Sequence, residues 1–103
     1  MPNLEQATDI SPSGGVGTSP ITLVPDDQNR KYLLIQNVSD TIYIGLALHG
    51  TVPSVSTTGL GGVGTMVLPP GGGITFDAGK IPANSFMAIA SGGSANPVTV
   101  IQW

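Results

Sequence analysis

Residues 41–48 read TIYIGLAL, and this octapeptide decides the fold class. Large aliphatic side chains occupy every second position, at Ile42, Ile44, Leu46 and Leu48. A period of two is typical of a β-strand that covers a core with one face. The preceding residues 30–37, RKYLLIQN, are apolar on both sides of the alternation, which predicts a central strand covered on both faces. Because only residues 38–40 separate the two segments, we expect them to pair as a β-hairpin.

On either side of this pair, short apolar segments alternate with clusters of Gly, Pro, Ser and Asn, as strands alternate with turns. They predict five further strands, at residues 21–24, 65–68, 74–76, 85–90 and 98–102. Pro20 and Pro25 flank the first of these, which favours an edge position because proline cannot donate to a ladder. No segment has a sustained helical period. Residues 21–103 are therefore predicted to form an all-β domain, a small antiparallel β-sandwich or barrel, jelly-roll-like, of about seven strands.

Residues 1–20, MPNLEQATDISPSGGVGTSP, do not follow this pattern. Their large aliphatic residues, Leu4, Ile10 and Val16, are spaced too widely to form one face of a strand or helix. Such a segment buries too little apolar surface to offset an ordering cost of about 1–2 kcal/mol per residue. We therefore expect an extended N-terminal arm, flexible or ordered only on an assembly, with these three residues as its anchors.

The pentapeptide GGVGT occurs twice, at residues 14–18 and 61–65. The flanking strands are not repeated, so chance recurrence in Gly-rich loops is the preferred interpretation. The alternative is that both copies adopt the same extended, sheet-adding conformation in an assembly. The second copy closes a long uncharged segment, residues 50–64, and loops of this length are usually functional or mobile.

Charged residues are scarce along the whole chain. Three Lys or Arg and six Asp or Glu are present in 103 residues, and residues 41–76 carry none. An ordinary soluble domain carries about 25% of these residues. A surface with few charges is inexpensive to desolvate, so we expect it to be covered by other protein. The net charge of -3 argues against nucleic-acid binding, and no apolar run approaches the ~20 residues of a membrane-spanning helix.

Cys and His, two residue types that often carry catalysis or bind metals, are nearly missing. There is no Cys, and His49 is the single His, without the partners that a catalytic or zinc site needs. We therefore predict no catalytic residue, no cofactor and no metal site, in a protein that is not an enzyme. Arg30 and Lys31 are expected to pair with Asp26, Asp27 or Asp40, each such pair contributing less than about 1 kcal/mol. Trp103 is expected to plug the core or a sheet edge, with an interface anchor as the alternative.

Several segments together suggest a family. They are RKYLLIQNVSD at residues 30–40, IYIG at 42–45, PGGGITF at 70–76, IASG at 89–92 and VTVIQW at 98–103. This layout resembles small virion proteins of tailed bacteriophages, of the capsid decoration (cement) or head-fibre type. The resemblance covers residues 30–103. It implies a structural role on the particle surface, often as a trimer, without catalytic residues.

We therefore expect a structural virion protein that decorates and stabilises a bacteriophage capsid by binding between capsomers. Its partner would be the major capsid protein or another virion protein, and the chain itself would form a homotrimer. It would be made in the host cytoplasm and reside on the capsid surface of the virion. The alternative is a carbohydrate- or receptor-binding module of a phage fibre or tail. The residues expected to contact a partner are Leu4, Ile10, Val16, Tyr43, His49 and Trp103.

Overall fold

The computed structural model describes residues 7–77 and 81–103, and all the regular structure within them is β-strand. The strands are β1 (Thr8–Asp9), β2 (Ile21–Val24), β3 (Leu33–Asn37), β4 (Ile44–Leu48), β5 (Met66–Leu68), β6 (Gly73–Phe76), β7 (Phe86–Ala90) and β8 (Val98–Gln102). They form two four-stranded antiparallel sheets, in the orders β1-β8-β3-β6 and β2-β7-β4-β5. The prediction of an all-β sandwich is confirmed. In the described residues no helix is long and apolar enough to cross a membrane.

The strand pairing has a simple rule. β4 pairs with β5, β3 with β6, β2 with β7 and β1 with β8. The chain is thus a long two-stranded ribbon that reverses once, between β4 and β5, and is wrapped so that its successive pairs form the two sheets. Eight strands wrapped in this way form a jelly roll. The edge position predicted for β2 is confirmed, since β2 pairs only with β7.

The core lies between the two sheets. Strand alternation turns Leu33 and Ile35 inward from one sheet, and Ile44, Leu46 and Phe86 inward from the other, and all five are fully buried. Each side chain of this size contributes about 1.5–3 kcal/mol when it is removed from water. This single cluster holds the two sheets together.

The predicted hairpin between β3 and β4 is wrong, because the two strands belong to different sheets. Both turn alternate side chains toward one core from opposite sides, so the chain must cross between the sheets at residues 38–43. Asn37, fully buried, fixes this crossing. Its side-chain NH₂ contacts three carbonyl oxygens: Ile42 O at 2.7 Å, Leu68 O at 3.1 Å and Pro69 O at 3.2 Å.

The sequence predicted that β3 is covered on both faces and β4 on one face, and the structure shows the opposite. β3 buries Leu33 and Ile35 on one face only, while Gln36 on its other face is exposed. β4 is covered on both faces, since Gly45 and Ala47 are buried as well as the inward-facing residues. Apolar periodicity reports which side chains can face a core, but not whether a loop covers the opposite face.

Candidate interaction surface

The connection between β4 and β5, residues 49–65, is the reversal point of the ribbon, and we call it the β4–β5 loop. It is held by its own hydrogen bonds. Gly62 N–H donates to Ser54 O at 3.0 Å, and Ser56 N–H donates to Leu60 O at 2.8 Å. Between them, Val55 and Gly61 form an antiparallel bridge. The β4–β5 loop is therefore a small irregular hairpin with a defined shape.

One side of the β4–β5 loop lies directly on the backbone of β4. A Cβ atom at Gly45 would lie 3.0 Å from Thr65 Cγ2 and 3.3 Å from Val55 Cβ. Further along, Gly59, with a φ of 87°, lies against the ring of Tyr43, and a Cβ there would be 2.6 Å from Tyr43 Cε1. The loop and the sheet are thus in close contact at both positions, and this contact buries the outer face of β4; at Gly59 the positive φ also favours glycine.

The β4–β5 loop also exposes large apolar side chains. Val52 is 75% exposed, Leu60 is 73% exposed and Val63 is 101% exposed. No charged residue lies in the loop or in its flanking strands, since residues 41–76 contain none. Three exposed aliphatic side chains on one hydrogen-bonded, uncharged segment form the candidate interaction surface, here called the apolar loop surface.

Val63 is presented by a tight turn. Thr65 N–H donates to Gly62 O at 3.0 Å, which closes a four-residue turn with Val63 as its second residue. Gly64, the third residue, has a φ of 83°. This value is characteristic of a type II turn, in which the third residue is usually glycine. The turn holds the isopropyl group of Val63 in solvent.

Two residues predicted to contact a partner are at the β4–β5 loop: Tyr43 lies against Gly59, and His49 is the first residue of the loop. Tyr43 is half-buried beneath Gly59, and its backbone N–H donates to Ser91 Oγ at 3.0 Å. His49 is exposed where β4 ends, and its backbone N–H donates to Ser85 O at 2.9 Å. Tyr43 therefore supports the loop from beneath, whereas His49 borders it on the surface.

Trp103 lies elsewhere, on the outer face of the other sheet, where it is 38% exposed. Its ring stacks on Tyr32, with centroids 4.3 Å apart and an interplanar angle of 21°. The backbones also pair, since Tyr32 N–H donates to Trp103 O at 2.8 Å. A core position for Trp103 is wrong, because the indole is on the surface, whereas a sheet-edge plug and an interface anchor stay predictions.

The three residues predicted to anchor an N-terminal arm have different positions. Val16 is completely buried in the core, so it is wrong as an interface residue. Its backbone N–H donates to Asn96 O at 2.9 Å, and its carbonyl accepts the Asn96 N–H at 3.0 Å. Ile10 is partly buried and packs against the core. Leu4 lies outside the described residues, but residues 7–20 lie on the β-domain of their own chain, contrary to the expected arm.

Arg30 has a structural position that the sequence did not predict. Its side chain is buried and donates to Gln102 Oε1 at 3.0 Å, Pro82 O at 2.8 Å, Asn84 O at 3.4 Å and Pro25 O at 2.5 Å. Burial lowers the pKa of the guanidinium, and the negative charges of Asp27 and Asp26 oppose this shift. Direct pairing of Arg30 with a carboxylate was expected, whereas carbonyl oxygens and an amide bind it. Arg30 thus joins three segments at one end of the sandwich.

The part of the chain that the structure describes contains no group of three His, Cys, Asp or Glu residues able to hold a metal ion.

The signal for the apolar loop surface was present in the sequence. Val52, Leu60 and Val63 interrupt an otherwise small and polar segment without the period of a strand.

No protein-family model, curated protein or solved structure matches the chain.

Proposed function

We propose that this chain is a structural virion protein that decorates and stabilises a bacteriophage capsid by binding between capsomers. The observation that carries the proposal is the apolar loop surface, which offers Val52, Leu60 and Val63 to a partner from a rigid, uncharged support. The strand and turn layout of residues 30–103, which resembles that of small phage virion proteins, supports the choice of a phage particle. Jelly rolls occur in viral capsid and lectin domains, so the fold is compatible with this role but does not choose it.

The energetics favour attachment through many copies. Complete burial of a Val or Leu side chain stabilises by about 1.5–3 kcal/mol. Because Val52, Leu60 and Val63 are largely exposed, most of this free energy is gained only when a partner covers them. Association must also offset a loss of translational and rotational freedom of roughly 4–15 kcal/mol. One loop is thus a weak ligand by itself. A homotrimer that presents three loops to the major capsid protein gains avidity by linking them.

The direct test replaces the exposed aliphatic groups. Leu60→Ser with Val63→Ser should reduce occupancy on purified particles, as measured by co-sedimentation or electron microscopy, and should leave the thermal unfolding midpoint unchanged. The matched control is Val38→Ser, since Val38 is 52% exposed but lies outside the loop. The control should attach normally. Full occupancy of the double variant would contradict the proposal.

Attachment should also be nearly independent of salt. The apolar loop surface has no charges to screen, whereas contacts between exposed charges weaken when the Debye length falls to about 3 Å at 1 M salt. Occupancy measured from low salt to about 1 M should therefore stay constant. Release of the protein at moderate salt would indicate that its few charged residues carry the attachment.

A second candidate function, a carbohydrate- or receptor-binding module, is favoured by one observation. The half-buried Tyr32 ring stacks on the Trp103 ring, which is 38% exposed, and aromatic rings combine a large apolar area with a polar tip. Trp103→Ala should abolish binding on a glycan array if this function is correct. This second function is contradicted if the unmodified protein binds no glycan on the array, or if Trp103→Ala binds the same glycans as strongly.

A further inference from the structure

β1 is attached to the rest of the domain by few contacts. Thr8 and Asp9 are both exposed, and they pair only with Gln102 and Ile101 at the end of β8. One further ladder bond follows, in which Ile10 N–H donates to Val100 O at 2.9 Å. A short exposed ladder at the edge of a sheet opens at a lower free-energy cost than the strands of the core.

The chain immediately after β1 has the properties of a hinge. Val16 is fixed in the core by two backbone bonds with Asn96, so any opening must end before it. In residues 11–15, a Cβ atom at Gly14 would contact nothing within 4 Å. The turn there is closed by a single 3.2 Å bond from Gly15 N–H to Pro12 O. Residues 7–10 can therefore separate from β8 while Val16 stays in place, at the cost of the contact between Ile10 and the core.

We propose that β1 is exchanged between copies of this chain, so that β1 of one copy pairs with β8 of another in the register seen here. The structure itself identifies the occupant of the opened edge. The segment around β1 fits the edge of β8, because Ile10 packs on the core and Ser11 Oγ accepts a hydrogen bond of 2.8 Å from the Val100 N–H. Every copy carries the same strand, and exchange of identical elements is a low-cost route to oligomers.

This inference rests on the proposed function in one respect, the concentration of copies. Gathering copies on one particle raises the effective concentration of neighbouring strands, which makes pairing between copies competitive with pairing inside one copy. The hinge limits the geometry, since five extended residues span about 17 Å. Copies that exchange β1 must therefore hold the accepting β8 edge within that distance of the donor's Val16. A closed ring in which each copy donates and accepts one strand meets this requirement.

The test uses a chain that naturally lacks cysteine. Ile10 and Val100 form a hydrogen-bonded position, so Asp9 and Ile101 face each other at the next, non-hydrogen-bonded position, where Cα atoms are about 4.5 Å apart. That separation permits a disulfide. Asp9→Cys and Ile101→Cys, each as a single variant with a different tag, are mixed, concentrated and oxidised. Only exchange brings residue 9 of one copy next to residue 101 of another.

The expected result is a covalent heterodimer with both tags on a non-reducing gel, joined between residues 9 and 101 by mass spectrometry. The control mixture is Gln36→Cys with Thr99→Cys, a pair between β3 and β8 that cannot exchange without unfolding the sandwich. It should yield no heterodimer. Thr8→Cys with Gln102→Cys replaces the first pair if Ile101→Cys does not fold. Absence of the heterodimer at the highest concentration, or an equal amount in the control, would overturn the proposal.

A locked variant separates this inference from the proposed function. Asp9→Cys with Ile101→Cys in one chain, oxidised while dilute, keeps β1 on its own copy. The locked protein should lose the oligomer that forms after reduction, as measured by light scattering. An oligomer that persists in the locked form overturns strand exchange. It leaves the proposed function intact, because attachment to particles is tested separately by the Leu60 and Val63 variants.

Discussion

The two copies of GGVGT, at residues 14–18 and 61–65, have the same five side chains and opposite environments. Val16 in the first copy is completely buried, whereas Val63 in the second is 101% exposed. The first copy is bridged to Asn96, a residue 80 positions away. The second closes a turn on itself through Thr65 N–H and Gly62 O. Within one chain the two copies therefore differ in conformation, and distant partners decide which valine is buried.

The glycines differ between the copies in the same way. In the first copy the residue before the valine, Gly15, has a φ of 69°. In the second copy the residue after the valine, Gly64, has a φ of 83°. Left-handed backbone is easily adopted only by glycine. One pentapeptide can satisfy both environments because it has glycine on both sides of its valine.

The largest expected effect comes from placing a charge at each valine. Val16→Asp buries a carboxylate without a partner and should destabilise the protein by about 4 kcal/mol or more, or prevent folding. Val63→Asp, the identical change in the second copy, should alter the unfolding free energy by less than about 0.5 kcal/mol. Urea unfolding of both variants measures the difference. Equal destabilisation would show that the two valines do not differ in burial.

The next effect concerns the glycine before each valine. A Cβ at Gly15 would lie 2.6 Å from the backbone carbon of Ala95, at a φ that disfavours side chains. Gly15→Ala should therefore lower the unfolding free energy by roughly 2–3 kcal/mol. At Gly62 the contact is with the movable hydroxyl of Ser54, so Gly62→Ala should cost less. Thermal unfolding compares them, at about 4–8 °C per kcal/mol for a domain near this size. A larger midpoint loss for Gly62→Ala would contradict this assignment.

A smaller effect is expected at the turn that exposes Val63. Gly64→Ala places a side chain at a φ of 83°, which costs about 1–2 kcal/mol. The matched control is Gly14→Ala, because Gly14 has open space around it and no positive φ. The control should be neutral, or should stabilise by about 0.4–1 kcal/mol through the unfolded state. Calorimetry of the two variants tests the order, and a neutral Gly64→Ala would argue against the type II turn.

The smallest effect lies in β1, just before the first copy. The Ser11 side chain and backbone N–H both bind the Asp9 carboxylate and lower its pKa below the ordinary 3.8. Since the folded pKa is lowered, the stabilisation is present above pH 3.8 and is lost as the pH falls through the folded value. An NMR titration of the Ser11 amide should follow this loss, and Asp9→Asn should remove the transition. Titration of Asp9 at or above 3.8 would contradict the contact.

Sequence periodicity predicted the strands whose side chains alternate between apolar and polar. It missed the strand that is held by backbone hydrogen bonds without an apolar pattern. The predicted strand at residues 98–102 coincides with β8, and that at residues 21–24 with β2. β1 was missed because two exposed residues leave no apolar pattern. Of the predicted contact residues, His49 and Trp103 are on the surface, whereas Val16 is in the core. The exposed aliphatics of the β4–β5 loop were visible in the sequence, but only the packing of Val55 on Gly45 shows which loop side is covered.

By itself the sequence determined the β class and the low charge content of the surface, because strand alternation and charge content depend only on neighbouring residues and composition. The tertiary structure decided the ribbon pairing of β1 with β8 through β4 with β5, the separation of β3 from β4, and the coverage of each sheet. These features depend on contacts between residues far apart in the chain. The same GGVGT is therefore core at Val16, where Asn96 meets it, and surface at Val63, where only its own turn does.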